Sequence, residues 1–231
     1  MSSSTPQGAR ARARMEVTAA IKEEARRQLA EEGASRLSLR AVARSLGMVS
    51  SALYRYFPSR DDLLTALIID AYDSLGASAE AANERIADAP PLERWTAVAE
   101  AVRTWALDHP HEYALIYGSP VPGYTAPMTT VPAASRVGLL FIAVVRDAHQ
   151  RGVLADAPAL PDDLTAEAGR MAADLAPDLP PATVVALIAA WAELFGLVGF
   201  ELFGQFNRVV EDRPPFFRRA ATRIAHEVGL R

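Results

Sequence analysis

Apolar residues along this chain recur at spacings of three and four, and nothing alternates at period two for long enough to argue a sheet. Val17, Ile21, Ala25 and Leu29 form one stripe of a helix over about residues 16–32, which Gly33 ends. Leu39, Val42, Ala43 and Leu46 mark a short second helix. Gly47 follows it, where a tight turn needs a residue tolerant of positive φ. Another short helix opens at Ser50-Ser51-Ala52. Ser59 and Asp62 then make a capping-box-like start for a long helix lined by Leu63, Leu64, Leu67, Ile68, Ala71, Tyr72 and Leu75. Pro90-Pro91 stops that helix and begins one with Trp95, Val98, Ala99, Val102 and Trp105 on its inner side. Pro110 opens a short helix over 111–117, and the four prolines and one glycine of residues 119–132 predict an irregular loop. Further helices are expected over about 133–152, 162–175, 182–206 and from 215 to the C-terminal end. The pattern predicts an all-α chain. A flexible basic arm over 1–14 precedes a three-helix domain over 15–75, and a helical domain covers 76–231.

Composition sharpens this picture in three ways. Half of the 231 residues are apolar, so the chain can bury a sizeable core. Cysteine is absent, which excludes disulfides, thiol catalysis and thiolate metal sites. The net charge of −4 hides an asymmetry, because residues 1–60 hold eleven basic side chains against five acidic ones. Attraction to phosphate is local at physiological salt, so a basic segment can bind nucleic acid within an acidic chain. Met1 to Arg14 are polar and arginine-dotted, without the apolar stretch of a secretory signal, and a cytoplasmic location is expected.

The basic part also carries the most specific motif. Two short helices joined by a glycine turn, the second opening on small side chains and closing on Tyr54-Arg55-Tyr56, have the layout of a helix-turn-helix. Small residues let the second helix approach base edges, while hydroxyls and arginines reach phosphates. Gly47, Met48, Val49, Ser50, then Leu53, Tyr54, Arg55, Tyr56, Phe57, Pro58, Ser59, Arg60 and Leu63 resemble the signature of the TetR family of transcriptional regulators. Arg60 stands where that signature has lysine. The resemblance implies DNA contacts from Ser38, Arg40, Val49, Ser50, Ser51, Ala52, Tyr54, Arg55, Tyr56 and Arg60. Tyr54 and Tyr56 are expected on phosphates, with Ser50, Ser51 and Arg55 nearest the bases. Arg40, Arg60 and the arginines of the arm would supply sequence-independent attraction. It further implies a homodimer on double-stranded operator DNA, acting as a repressor released by a small molecule. The alternative is a ligand-binding or scaffold protein with a vestigial DNA head.

Residues 182–206 are apolar enough to suggest a membrane span, but Glu193 and Glu201 would each cost about 2.5–3.5 kcal/mol near a bilayer centre. Gly196, Gly199 and Gly204 instead permit close approach of a partner helix, so this helix and the one over 215–229 are the expected dimer surface. Trp191-x-x-x-Phe195-Gly196 is similar to a TetR branch with Trp-x-x-x-His-Gly, phenylalanine replacing the histidine. A mainly apolar effector is expected among Trp105, His109, Tyr113, Tyr117, Phe141, Trp191 and Phe195, with loop 119–132 as its lid. Plain core packing is the other reading of each ring. His109 and His111 lie two apart and do not converge on a metal, no phosphate loop or hydrolase signature is present, and neither cofactor nor enzymatic activity is expected.

Overall fold

A computed structural model describes residues 6–231, and every regular element among them is helical. The chain divides into two compact units. The first holds the residues up to 71 together with 111–131; the second holds 72–110 and 132–231.

In the first unit, α1 (Pro6–Glu32), α2 (Leu39–Ser45), α3 (Ser50–Leu53) and the first part of α4 (Arg60–Glu84) enclose one core. Ile21, Ala25, Val42, Ala43, Leu53, Leu63 and Leu64 are fully buried in it, with Leu29, Leu37, Leu39, Phe57 and Leu67 nearly so. Each large aliphatic or aromatic side chain buried this way contributes about 1.5–3 kcal/mol. The capping box appears as expected: the Asp62 amide donates to Ser59 Oγ at 3.1 Å, and the Ser59 hydroxyl donates to the Asp62 carboxylate at 2.7 Å.

Three expectations meet a different local arrangement. The arm over 1–14 is not separate from the first helix. From Pro6 onward it is the beginning of α1, because Ala9 to Arg14 alternate alanine and arginine, both strong helix formers; residues 1–5 lie outside the described part. Loop 119–132 is not a free lid either. Val121 and Tyr124 pack against the core of the first unit beside Leu115, and the hydroxyls of Tyr124 and Thr65 share a hydrogen bond of 2.9 Å. Where the sequence suggests a boundary at 75/76, the two compact units part between Ala71 and Tyr72, inside α4, and residues 111–131 group with the first unit.

The second unit contains the rest of α4 with α5 (Pro91–Asp108), α7 (Val131–Gln150), α8 (Asp162–Leu175), α9 (Pro181–Leu202) and α10 (Arg213–Val228). α9 packs closely on α8 and α10, and α5 on α10 and α9. Val184, Leu187, Ala190, Leu194 and Val198 give α9 its buried stripe. α9 ends four residues before the expected position, and Gly204, at φ 86°, carries the turn that follows. α7 is tied to its neighbours by long side chains. Phe141 meets Trp95 with ring centroids 4.4 Å apart, and Arg94 of α5 donates to Asp147 at 2.8 Å. Arg136 lies across Gly76 of α4 and bridges Asp73 and Glu80. The guanidinium hydrogen-bonded to Glu80 holds that carboxyl below its ordinary range.

Glu201 of α9 is a buried carboxylate, and Arg103 of α5 is its partner. They form a two-pronged pair, Nε to Oε2 at 2.7 Å and Nη2 to Oε1 at 2.5 Å, and the same guanidinium sits 5.6 Å above the Phe217 ring of α10. By length and composition α7 and α9 could each cross a membrane. The buried stripe of α9 and its engaged Glu201 are those of a core helix.

Candidate nucleic-acid interface

The Ser38 Oγ accepts from the Ala41 amide at 3.4 Å and starts α2, so this candidate acts as a helix cap. α2 closes through Leu46. Gly47 then takes φ 65°, and the Met48 amide returns to the Ala43 carbonyl at 2.8 Å. α3 opens at once and continues in turns to Phe57. Leu53 and Phe57 anchor its inner side in the core, which fixes the opposite side outward. Val49 is 70% exposed and Tyr54 42%, and Ser51 and Arg55 are exposed with them. Ser50 and Ala52 are half-buried. Small side chains thus lead the helix and a phenol and a guanidinium close it, which suits close approach to base edges with polar reach to the backbone on either side.

Tyr56 is half-buried beneath α1. The Arg14 guanidinium stands 5.2 Å over its ring and donates to the Arg55 carbonyl at 3.4 Å. The strongest departure from expectation is Arg60. Its Nε donates to the Leu37 carbonyl at 3.2 Å and its Nη2 to the carbonyls of Ala34 at 2.8 Å and Ser35 at 3.3 Å. The arginine thereby stitches the start of α4 to the segment leading into α2, with Nε and Nη2 committed inside the protein and Nη1 3.6 Å from the Asp61 carboxylate.

The remaining basic side chains of the first unit sort into two sets. Lys22 and Arg26 both hold Asp70, and Arg26 also reaches Glu112 of α6 (Pro110–Tyr117) at 3.1 Å. Arg27 brackets Glu24 and Glu31, and its hydrogen bond holds the Glu24 carboxyl down to about 2. Arg10, Arg12, Arg36, Arg40, Arg44 and Arg55 are exposed and make no ion pair among the described residues. Arg36 and Arg44 went unnamed at the sequence level. The available signal was weak: Arg44 has no acidic residue within four positions, but Arg36 has Glu32 four before it.

The residues expected around an effector fall into local pairs. Trp105 stacks on His109 with centroids 4.9 Å apart, and its Nε1 donates to Ser74 at 2.9 Å. Tyr113 and Tyr117 lie 5.1 Å apart in the first unit, and burial pushes the Tyr113 phenol up. Phe141 packs on Trp95, which was grouped with the core of its helix; the Trp95 Nε1 is buried without an acceptor among the described residues. Trp191 meets Phe195 at 5.8 Å but is 44% exposed, so it belongs to the outer face of α9 rather than to an interior.

Comparison with known proteins agrees with this geometry. Residues 21–67 match the family model of bacterial regulatory proteins of the tetR family, and residues 95–224 match that of the tetracyclin repressor-like C-terminal domain. The chain belongs to the TetR family of transcriptional regulators. HTH-type transcriptional regulators of Mycobacterium tuberculosis and Mycobacterium bovis are 38% identical to it over 94% of each chain. The crystal structure of the regulatory protein SCO4313 is 35% identical and superposes with a TM-score of 0.74, covering 93% of this chain and 98% of that one. RolR, solved with resorcinol, shares the fold at a TM-score of 0.54 and 17% identity, over 94% of this chain and 93% of its own. As a TetR-family member, this chain is a DNA-binding helix-turn-helix regulator, and dimers on operator DNA with small-molecule ligands are the family's mode of action.

Proposed function

We propose that this TetR-family chain is a cytoplasmic homodimeric repressor that reads operator DNA through α3 and is released by a mainly apolar small molecule. The observation that carries the reading is the outward face of α3, where Val49, Ser51, Tyr54 and Arg55 stand clear of a helix locked from behind by Leu53 and Phe57. Two such helices in a dimer would enter successive major grooves about 34–36 Å apart, or a small multiple of that. The partner copy fits the exposed side of α9, where Ala189, Ala192, Gly196, Phe200 and Phe203 follow one another at helical spacing, continued by Phe216 of α10. The effector's apolar character is supported by the aromatic interior of the second unit around Trp95, Phe141 and Trp105. RolR, of the same fold, has been solved with the phenolic ligand resorcinol.

Selection of bound duplexes from a random pool tests the reading. The wild type should enrich a palindrome, whereas a scaffold with a vestigial head would enrich nothing. Tyr54→Phe should then weaken binding to all duplexes alike, because phosphate contacts carry no direct sequence information. A change in which bases are preferred would refute the phosphate role of Tyr54. Compounds that release the selected DNA should change tryptophan emission in wild type and not in Trp105→Phe. An unchanged wild-type emission would place the effector away from that interior.

A further inference from the structure

Residues 9–16 of α1 contribute no side chain to the buried core. From Ala9 to Glu16 every residue is exposed, and the first fully buried side chain of the helix is Ile21. A free peptide of this length would be marginally helical. Here the segment only extends a helix already nucleated by its packed part, and alanine and arginine extend it readily. What it presents is charge. Arg10, Arg12 and Arg14 fall within five residues, and no acidic side chain occurs before Glu16.

Helical geometry splits these arginines between two faces. Arg10 and Arg14, four apart, share one face, and Arg12 lies nearly opposite. Arg14 shows where the shared face looks, because it is clamped to the Arg55 carbonyl and the Tyr56 ring at the end of the recognition helix. Arg10 therefore continues the edge of α3 by one helical turn, about 6 Å at 1.5 Å per residue. It is exposed and makes no hydrogen bond or ion pair among the described residues.

We propose that the N-terminal extension of α1 is a second, pre-ordered DNA contact, in which Arg10 grips the phosphate backbone beyond the segment read by α3. Duplex DNA is the partner because the edge adjoins Arg55 and Tyr56 and adds like charge to Arg55, which a polyanion spanning both would favour. The inference rests on the DNA-binding reading above. Because α1 is helical before DNA arrives, the contact needs no folding of a disordered arm and widens the footprint without changing sequence preference.

The test uses the full-length protein on its selected operator, measuring affinity over a range of salt. Each phosphate neutralised contributes about 0.9 to the slope of log affinity against log salt. Arg10→Gln should flatten the slope by close to that amount, shorten hydroxyl-radical protection at both outer ends of the site, and leave base preference and thermal unfolding unchanged. Arg12→Gln, on the opposite face, should leave slope and footprint as in wild type. An unaltered slope in Arg10→Gln overturns the proposal while leaving the regulator reading intact. Equal flattening in Arg10→Gln and Arg12→Gln also overturns it, since that is the behaviour of an unordered cationic arm. A wild type that binds no sequence specifically overturns both readings.

Discussion

Replacing Glu201 by glutamine should be one of the most damaging conservative changes available in the second unit. The carboxylate receives two guanidinium donors from Arg103, at 2.7 and 2.5 Å. The Glu201 side chain is 5% exposed and that of Arg103 14%, so neither charge is well hydrated. Glutamine keeps the shape but offers one acceptor oxygen and an amide that opposes the second donor. Arg103 then remains charged with Phe217 as its nearest compensation. Breaking a buried pair from one side costs about 3–5 kcal/mol, and the residual water access of Arg103 argues for about 3. For a chain of this size each kcal/mol lowers the melting point by about 2–4 °C. Urea unfolding followed by circular dichroism at fixed protein concentration measures the loss, with coincident fluorescence transitions checking that both probes see one event. The paired replacement Arg103→Met with Glu201→Leu should recover most of the stability, since burying neither charge avoids the desolvation. A Glu201→Gln loss under about 1 kcal/mol, the range of a solvated surface pair, would refute the reasoning.

Gly196 faces outward on α9 and a Cβ there would meet nothing within 4 Å, so Gly196→Leu should leave the monomer folded, even steadier by about 0.8–1 kcal/mol of helix propensity, while preventing dimerisation. Sedimentation should show monomers that no longer bind the palindrome; a retained dimer would remove α9 from the interface. Arg60→Gln should lower the stability of the first unit by about 1.5–3 kcal/mol, the range for hydrogen bonds from a charged donor, without altering the salt slope of DNA binding. A flattened slope with unchanged stability would show that Arg60 serves phosphate rather than the Ala34 and Leu37 carbonyls.

Helical periodicity carried most of the fold, because the inward residues of α2, α4, α5 and α9 recur where a 3.6-residue repeat puts them. It failed where the outcome depended on something other than an apolar stripe. The start of α1 has no stripe at all; its helicity comes from alanine–arginine propensity and continuity with Ile21 and Ala25. The proline-rich loop looked free because turn residues say where a chain bends and not what it then touches. Val121 and Tyr124 found the first unit's core through contacts distant in sequence.

The interface shows the same limit in its arginines. The motif offered Val49, Ser50, Ser51, Ala52, Tyr54, Arg55 and Tyr56; with Leu53 and Phe57 inward, Val49, Ser51, Tyr54 and Arg55 stand exposed while Ser50, Ala52 and Tyr56 are half-buried. It could not say which cations stay available to DNA. Arg26 and Arg60 differ from Arg40 and Arg44 only in what lies across the fold: Asp70 and Glu112 for the first, three backbone carbonyls for the second. A guanidinium with its donors committed must break those hydrogen bonds before it can take a phosphate, and each to a charged group is worth about 1.5–3 kcal/mol. An exposed, unpaired one gives up only water. On the proposed reading, electrostatic affinity in this unit should therefore follow the unpaired set, Arg10, Arg36, Arg40, Arg44 and Arg55, with Arg12 set apart by its place on the opposite face of α1, rather than the total basic charge of residues 1–60.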